Sequence, residues 1–217
     1  MPDVQSVLHP AGVEAARIAR EWWIFLGVCT VVWLIVAAVT LLALAKGRRA
    51  ASSADSRVLG RNISVATAVT VVALIALLFE ATATQGALES VRSPDPLRIQ
   101  VTGNQWWWDI QYVDPVPSQR VTTANEIHIP VGRSVAIDLL ATDVIHSLWI
   151  PNLQGKLDLI PGRLNQLWLR ADRAGVYRGQ CAEYCGLQHA KMALVVVAES
   201  PNDFERWLTA NRASAPT

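Results

Sequence analysis

The sequence predicts a membrane-anchored chain with a two-helix transmembrane hairpin, a β-sandwich or barrel head and a short C-terminal helix. Two long apolar stretches in the first half of the chain predict the hairpin, and short segments of alternating polarity after residue 95 predict the sheets. Of the 217 residues, 52% are hydrophobic and 17% are charged, which excludes intrinsic disorder. The near balance of 19 basic and 18 acidic residues, with no basic stripe, argues against nucleic acid as a partner.

The first apolar stretch, residues 22–45, contains no charged residue. As a helix it would be about 36 Å long, against a hydrocarbon core of about 30 Å. A second stretch, residues 62–84, has its first charge at Glu80 and also reaches spanning length. A cleavable signal peptide is the alternative for the first stretch, but 22–45 is long for such a segment and no basic region directly precedes it.

The linker between the stretches, residues 46–61, is strongly basic. It contains one acidic residue, Asp55, and five basic ones: Lys46, Arg48, Arg49, Arg57 and Arg61. Short loops with such an excess remain cytoplasmic. Both termini are therefore expected on the extracytoplasmic side.

Beyond residue 95 the alternation of apolar and polar residues predicts half-buried strands without long helices between them, the pattern of an antiparallel sandwich or barrel. The candidate strands are 97–102, 106–112, 126–131, 134–140, 165–170, 175–179 and 193–198. A final helix is predicted with Ser200 as N-cap, Pro201 at its first position and Asp203 at its third. Its apolar face would present Phe204, Trp207 and Leu208.

These patterns divide the chain into seven parts. They are an extracytoplasmic N-terminal segment (1–21), helix 1 (22–45), a cytoplasmic loop (46–61), helix 2 (62–84), a linker (85–95), the β-domain (96–200) and a C-terminal helix and tail (201–217).

Rare residue types cluster in the head. The chain has three cysteines, four histidines and two methionines, and five side chains of these types form one candidate metal site: His146, Cys181, Cys185, His189 and Met192. Two thiolates, two imidazoles and a thioether suit a pair of copper ions bridged by the two sulfurs. The alternatives are a disulfide between the two cysteines and a zinc site, although zinc rarely binds a thioether and usually takes four ligands.

At these residues the sequence resembles the cytochrome c oxidase subunit II family over nearly its whole length. The resemblance rests on the helical hairpin, the segments G-N-Q-W-W-W-D-I-Q-Y, D-V-I-H-S and P-G-R-L-N-Q, and the pattern C-x-E-x-C-G-x-x-H-x-x-M. It implies a cupredoxin-like head with the binuclear copper centre called CuA. The ligands it implies are the five side chains named above, together with the backbone carbonyl of Glu183.

The resemblance implies three further roles. The Glu183 carboxylate would reach a magnesium ion at the boundary with the catalytic subunit, and Trp106 would be the residue through which electrons enter. Core or interface packing is the alternative for the three tryptophans 106–108, and strand alternation allows it for Trp107 at least. Asp114 and Asp143 match part of the family's acidic docking surface for cytochrome c.

Other positions depart from the family pattern. Gln111 and Thr142 stand where carboxylates are frequent, and Asn104 replaces a common histidine. No carboxylate lies near the start of the second helix, where Asn62 stands, so the proton-uptake role found in many members is not transferred.

The resulting expectation is an electron-transfer subunit in the bacterial plasma membrane, with its copper head on the periplasmic side. It would accept electrons from cytochrome c and pass them to haem in a catalytic subunit I, which reduces dioxygen to water. The alternatives are a CuA subunit of a membrane nitric oxide reductase and, from a different class, a membrane-anchored structural β-domain.

Overall fold

The computed structural model describes residues 2–46, 56–88 and 91–213, which form two compact units. One unit comprises the residues up to Ala19 together with those from Leu88 onward, and the other runs from Arg20 to Ala87. Part of the basic linker, including Arg48, Arg49 and Asp55, lies outside the described residues, as does the end of the tail.

The helical unit consists of most of α1 (Val13–Lys46) and α2 (Ser56–Leu88). Both helices are long and apolar enough to cross a membrane, and their large apolar side chains are exposed. They extend beyond the predicted stretches because flanking residues such as Ala15 and Ala16 are good helix formers. Near the start of α1, Arg20 pairs with Glu80 of α2 at 2.9 Å.

The head is a sandwich of two five-stranded sheets. The first sheet has the order β3-β2-β1-β5-β8 and the second has the order β4-β10-β9-β6-β7. The strands are β1 (Leu97–Asn104), β2 (Trp107–Tyr112), β3 (Val121–Ala124), β4 (Glu126–Pro130), β5 (Val135–Ala141), β6 (His146–Trp149), β7 (Lys156–Leu159), β8 (Asn165–Leu169), β9 (Gly175–Cys181) and β10 (Ala193–Glu199). The sandwich prediction is confirmed. However, β1 pairs with β5 in parallel and β4 with β10 in parallel, so the sheets are mixed rather than antiparallel.

The core lies between the sheets. Ile99, Val101 and Ile110 point inward from the first sheet, and Ile127 and Leu148 from the second; each is at most 1% exposed. Inward residues alternate with outward ones along β1 and β2, as a strand packed on one face requires.

The last helix, α3 (Pro201–Ala213), begins as predicted. The Ser200 hydroxyl accepts the backbone N–H of Asp203 at 3.2 Å, which caps the helix. Phe204 is buried, and the indole of Trp207 stacks on the His128 ring with centroids 4.1 Å apart. This apolar face fastens α3 to the sandwich.

The residues before α1 also pack on the head. The backbone N–H of Ala11 donates to the carbonyl of Asn152 at 2.7 Å, and the Ala11 carbonyl accepts from Asp172 at 2.8 Å. A Cβ at Gly12 would lie 2.7 Å from the carbonyl oxygen of Leu153, so only glycine permits this close backbone contact. The first turn of α1 is thereby fixed to the sandwich.

Candidate metal centre

Two strand pairings bring the predicted ligands together. Cys181 is the last residue of β9, and its backbone N–H donates to the carbonyl of Met192 at 2.9 Å across the β9–β10 hairpin. Cys185 and His189 lie in the connection between these strands. β6 pairs with β9 so that Leu148 is opposite Cys181. This register places His146, the first residue of β6, at the same end of the sheet.

Three of the buried donors form a compact cluster. The ligand atoms of His146, Cys181 and Cys185 lie within 4.8 Å of one another. The Sγ atoms of the two cysteines are 3.8 Å apart, and both thiols are free. The two cysteines therefore do not form the disulfide that was the alternative to a metal site.

The remaining predicted donors surround this cluster. His189 Nδ1 lies 3.6 Å from Cys185 Sγ, and Met192 Sδ lies 3.7 Å from the same sulfur. His146 Nδ1 lies 3.9 Å from Cys181 Sγ. The Glu183 carbonyl oxygen is 3.2 Å from Cys181 Sγ, whereas the residue as a whole is exposed. All six donors named from the sequence thus converge on one point.

The cluster is chemically suited to a soft metal. Burial opposes ionisation of Cys181, but hydrogen bonding with His146 and with the backbone outweighs it and lowers the pKa of this thiol to about 6. Burial and the neighbouring sulfur raise the pKa of Cys185. Thiolates are the form that binds metal, and two sulfurs with two imidazoles and a thioether match the preferences of copper.

Asp143 orients the His146 ring. Its Oδ1 accepts Nε2–H of His146 at 2.8 Å, and its Oδ2 accepts the backbone N–H of Gln105 at 2.6 Å. Burial opposes the charge on Asp143, but these hydrogen bonds and one from Val144 outweigh it and lower the pKa of Asp143. With its outer nitrogen held in this way, the ring directs Nδ1 at the cluster.

Residue 103 must be a glycine, because its backbone lies against the His146 ring. A Cβ at Gly103 would lie 2.8 Å from Cδ2 of His146 and 3.0 Å from its Cγ. The buried Trp108 packs edge-on to the same ring, with centroids 6.0 Å apart. His146 is thus fixed on three sides, by Asp143, Gly103 and Trp108.

Two neighbouring side chains fix the cysteine loop. The Trp106 indole N–H donates to the Cys185 carbonyl at 3.2 Å, and the Gln105 side-chain amide donates to the same oxygen at 2.7 Å. Trp106 therefore contacts a candidate ligand residue directly. The sequence did not single out Gln105, and only its position beside the tryptophans could have indicated it.

Of the three tryptophans, Trp108 is the core residue. Trp107 is 42% exposed, because β2 begins there and its inward positions are Trp108, Ile110 and Tyr112. Alternation therefore places Trp108 rather than Trp107 in the core, and interface packing of Trp107 stays a prediction.

The two predicted docking aspartates are both engaged within the chain. The Asp114 carboxylate pairs with Arg212 of α3 at 2.9 Å. The Asp143 carboxylate accepts the three hydrogen bonds described above. Neither offers the free surface charge expected of a docking residue.

Comparison with known proteins points to one family. The family described as cytochrome C oxidase subunit II, periplasmic domain, matches residues 115–199. The cytochrome c oxidase subunit 2 of Alkalihalophilus pseudofirmus is 33% identical over 94% of this chain. That of Lycodon semicarinatus is 37% identical over 56% of it. The chain spans 61% and 60% of the lengths of these two relatives.

A solved structure agrees with these matches. The periplasmic domain of cytochrome oxidase subunit II from Bradyrhizobium japonicum aligns with a TM-score of 0.53 at 30% identity. The alignment covers 57% of this chain and 98% of that domain.

Proposed function

The chain belongs to the cytochrome c oxidase subunit II family, and from this membership we propose that it is the electron-transfer subunit of a membrane haem-copper oxidase. The observation that supports the proposal best is the convergence of six donors on one buried point at the end of β6 and β9. A purely structural β-domain has no need of such a set.

The donors fit a pair of copper ions. The thiolates of Cys181 and Cys185 and the imidazoles of His146 and His189 would hold the pair, and Met192 and the Glu183 carbonyl would add weaker donors. When bound, such a pair supplies a one-electron redox centre.

The protein's contribution is to hold these donors still. His146 and Cys181 lie at the ends of paired strands, Met192 directly precedes β10, and Cys185 and Met192 are at most 2% exposed. A rigid, water-excluding site keeps the reorganisation that accompanies electron transfer small.

We assign electron uptake from cytochrome c to Trp106. Its indole N–H donates to the Cys185 carbonyl at 3.2 Å, so the half-buried ring directly contacts a residue that would bind copper. Glu183 directs its carbonyl to the cluster while the residue remains exposed, which leaves its carboxylate for a magnesium ion at the catalytic subunit.

The two apolar helices support a location for the chain and a partner for it. α1 and α2 would place the chain in the bacterial plasma membrane with the head in the periplasm. A haem-copper catalytic subunit would then receive the electrons and reduce dioxygen to water. This chain performs no oxygen chemistry itself.

The test is metal analysis of the purified full-length chain. We expect two copper ions per chain, a purple colour and a spin spectrum in which one unpaired electron is shared by both ions. Cys185→Ser should abolish this spectrum, because a hydroxyl is a poor ligand for soft copper. Cys29→Ser is the matched control, since Cys29 is exposed on α1 and should leave the copper unchanged.

A colourless protein with one zinc ion would refute the copper assignment. Co-purified subunits and their haem content test the oxidase assignment separately.

A further inference from the structure

Three loops meet above the candidate metal centre and form one surface. Residues 104–107, 142–145 and 183–188 are joined through two contact points. The first is the Asp143 carboxylate, which accepts from Gln105 at 2.6 Å, and the second is the Cys185 carbonyl, which accepts from Gln105 and Trp106. We call these three segments the loop surface.

The loop surface is apolar. Five large apolar side chains on it are exposed: Trp107 (42%), Val144 (37%), Ile145 (43%), Tyr184 (73%) and Leu187 (93%). Ile145 directly precedes His146, and Tyr184 directly precedes Cys185, so these side chains flank the donors. Several large exposed apolar side chains on loops that contact one another are typical of a site of protein association.

The same loops contain very little charge. Asp143 and Glu183 are their only charged residues. Asp143 is turned inward, with its side chain 28% exposed and hydrogen-bonded to His146 and two backbone N–H groups. Glu183 is the remaining exposed acidic residue, and its carboxylate is the one that the proposed function assigns to magnesium at the catalytic subunit. Asp114 is neutralised by Arg212.

We infer that the electron donor docks on the loop surface through apolar contact, and that it is a redox protein whose docking face is weakly charged rather than strongly basic. The inference rests on the proposed function, since it names the partner of that electron-transfer site. Charge complementarity supports it, because a strongly basic donor gains little at a surface with almost no free carboxylate. Proximity supports it too, because the donor must approach the centre closely and Trp106 lies within this surface.

The test uses the purified oxidase complex with two soluble cytochromes c as donors, one near-neutral and one strongly basic. The KM for each is measured from about 10 mM to about 300 mM ionic strength, a range over which exposed charges become largely screened. We expect the KM for the near-neutral donor to change less than about twofold, and the basic donor to show no lower KM at low salt.

Two variants locate the surface. Leu187→Ser and Ile145→Ser should each raise the KM about fivefold or more, because they remove apolar contact area. Their copper content and absorption spectrum should not change. Val176→Ser is the matched control, since Val176 is 55% exposed on β9 but lies outside the three loops.

Three results would overturn the inference. The first is a KM for the basic donor that is at least tenfold lower at low salt than at high salt and rises steeply with salt. The second is an unchanged KM in both serine variants. The third is release of the catalytic subunit by either variant, which would assign the surface to that subunit. A complex with copper but salt-dependent docking refutes this inference alone, whereas a complex without copper refutes the proposed function and this inference with it.

Discussion

Nε2 of His146 lies 2.8 Å from Oδ1 of Asp143, while Nδ1 of the same ring lies 3.9 Å from Cys181 Sγ. The ring thus connects a carboxylate on one side with the sulfur cluster on the other. Such outer partners orient metal-binding histidines and make them more basic.

We expect Asp143→Asn to retain copper but to bind it about 10- to 100-fold more weakly. The asparagine carboxamide has one oxygen where aspartate has two. It therefore cannot replace both acceptor oxygens for His146, Gln105 and Val144, and it holds the ring less firmly. Competition with a copper chelator measures the affinity. Asp114→Asn, which alters a carboxylate paired with Arg212, is the control. Equal affinities in both variants would contradict this role for Asp143.

Met192→Leu should retain both copper ions but alter the reduction potential. Leucine has nearly the volume of methionine, so the fully buried site stays packed, but the weak thioether ligand is lost. Redox titration of the full-length chain measures the effect. If the potential and the spectrum match those of the wild type, Met192 is a core residue and not a ligand.

Trp106→Phe should slow electron uptake from cytochrome c at least tenfold. Phenylalanine keeps an aromatic ring but loses the N–H that contacts the Cys185 carbonyl. Copper content and internal transfer to haem should be unchanged, as rapid-mixing kinetics would show. Trp168→Phe, on β8 and outside these loops, should behave as the wild type. Loss of copper in Trp106→Phe with normal uptake in the remainder would make Trp106 a packing residue.

Glu14 should make the stability of the head depend on pH. It precedes the uncharged stretch 22–45 and packs on the sandwich, where it is 1% exposed. Its Oε1 has no hydrogen-bond partner among the described residues. Burial raises the pKa of Glu14 from 4.5 to about 7. The folded chain therefore holds this proton more tightly than the unfolded chain does.

Stability should consequently fall as the pH rises from about 4.5 to about 7, by about 3 kcal/mol, and remain level above that range. Glu14→Gln should remove this dependence and stabilise the chain at pH 8. Thermal unfolding of the full chain in detergent measures both effects. A Glu14→Gln variant with the wild-type pH profile would show that another group is responsible.

The basic linker should be cytoplasmic. A phosphatase reporter that is active only outside the cytoplasm should be inactive when fused within residues 46–61 and active when fused after Thr217. The opposite pattern would place the candidate copper site where thiols are kept reduced, and the proposed function would fail with it.

The features that could be predicted are those determined by residues close together in the sequence. The stretch 22–45 and the Ser200 cap are local signals, and so is the spacing of Cys181, Cys185, His189 and Met192, because one hairpin connection contains it. The structure brings these donors together as the motif indicated.

The features that were missed depend on distant partners. The strands β3, β6 and β7 have four residues each, too few to show a period, and they are defined by pairing with other strands. The parallel pairing of β1 with β5 has no local signal either. Asp114 and Asp143 look like surface charges until the fold supplies Arg212 and His146 as their partners.

The close packing of Gly103 against the His146 ring helps to decide whether a related sequence can assemble the centre. A methyl group at position 103 is enough to displace the imidazole, although the glycine is 43 residues away from it in the chain and binds nothing itself. A related sequence could therefore retain every sulfur and nitrogen donor and still be unable to assemble the centre. Copper competence in variant libraries or uncultured genomes is better judged from the donors and this glycine together than from the cysteine motif alone.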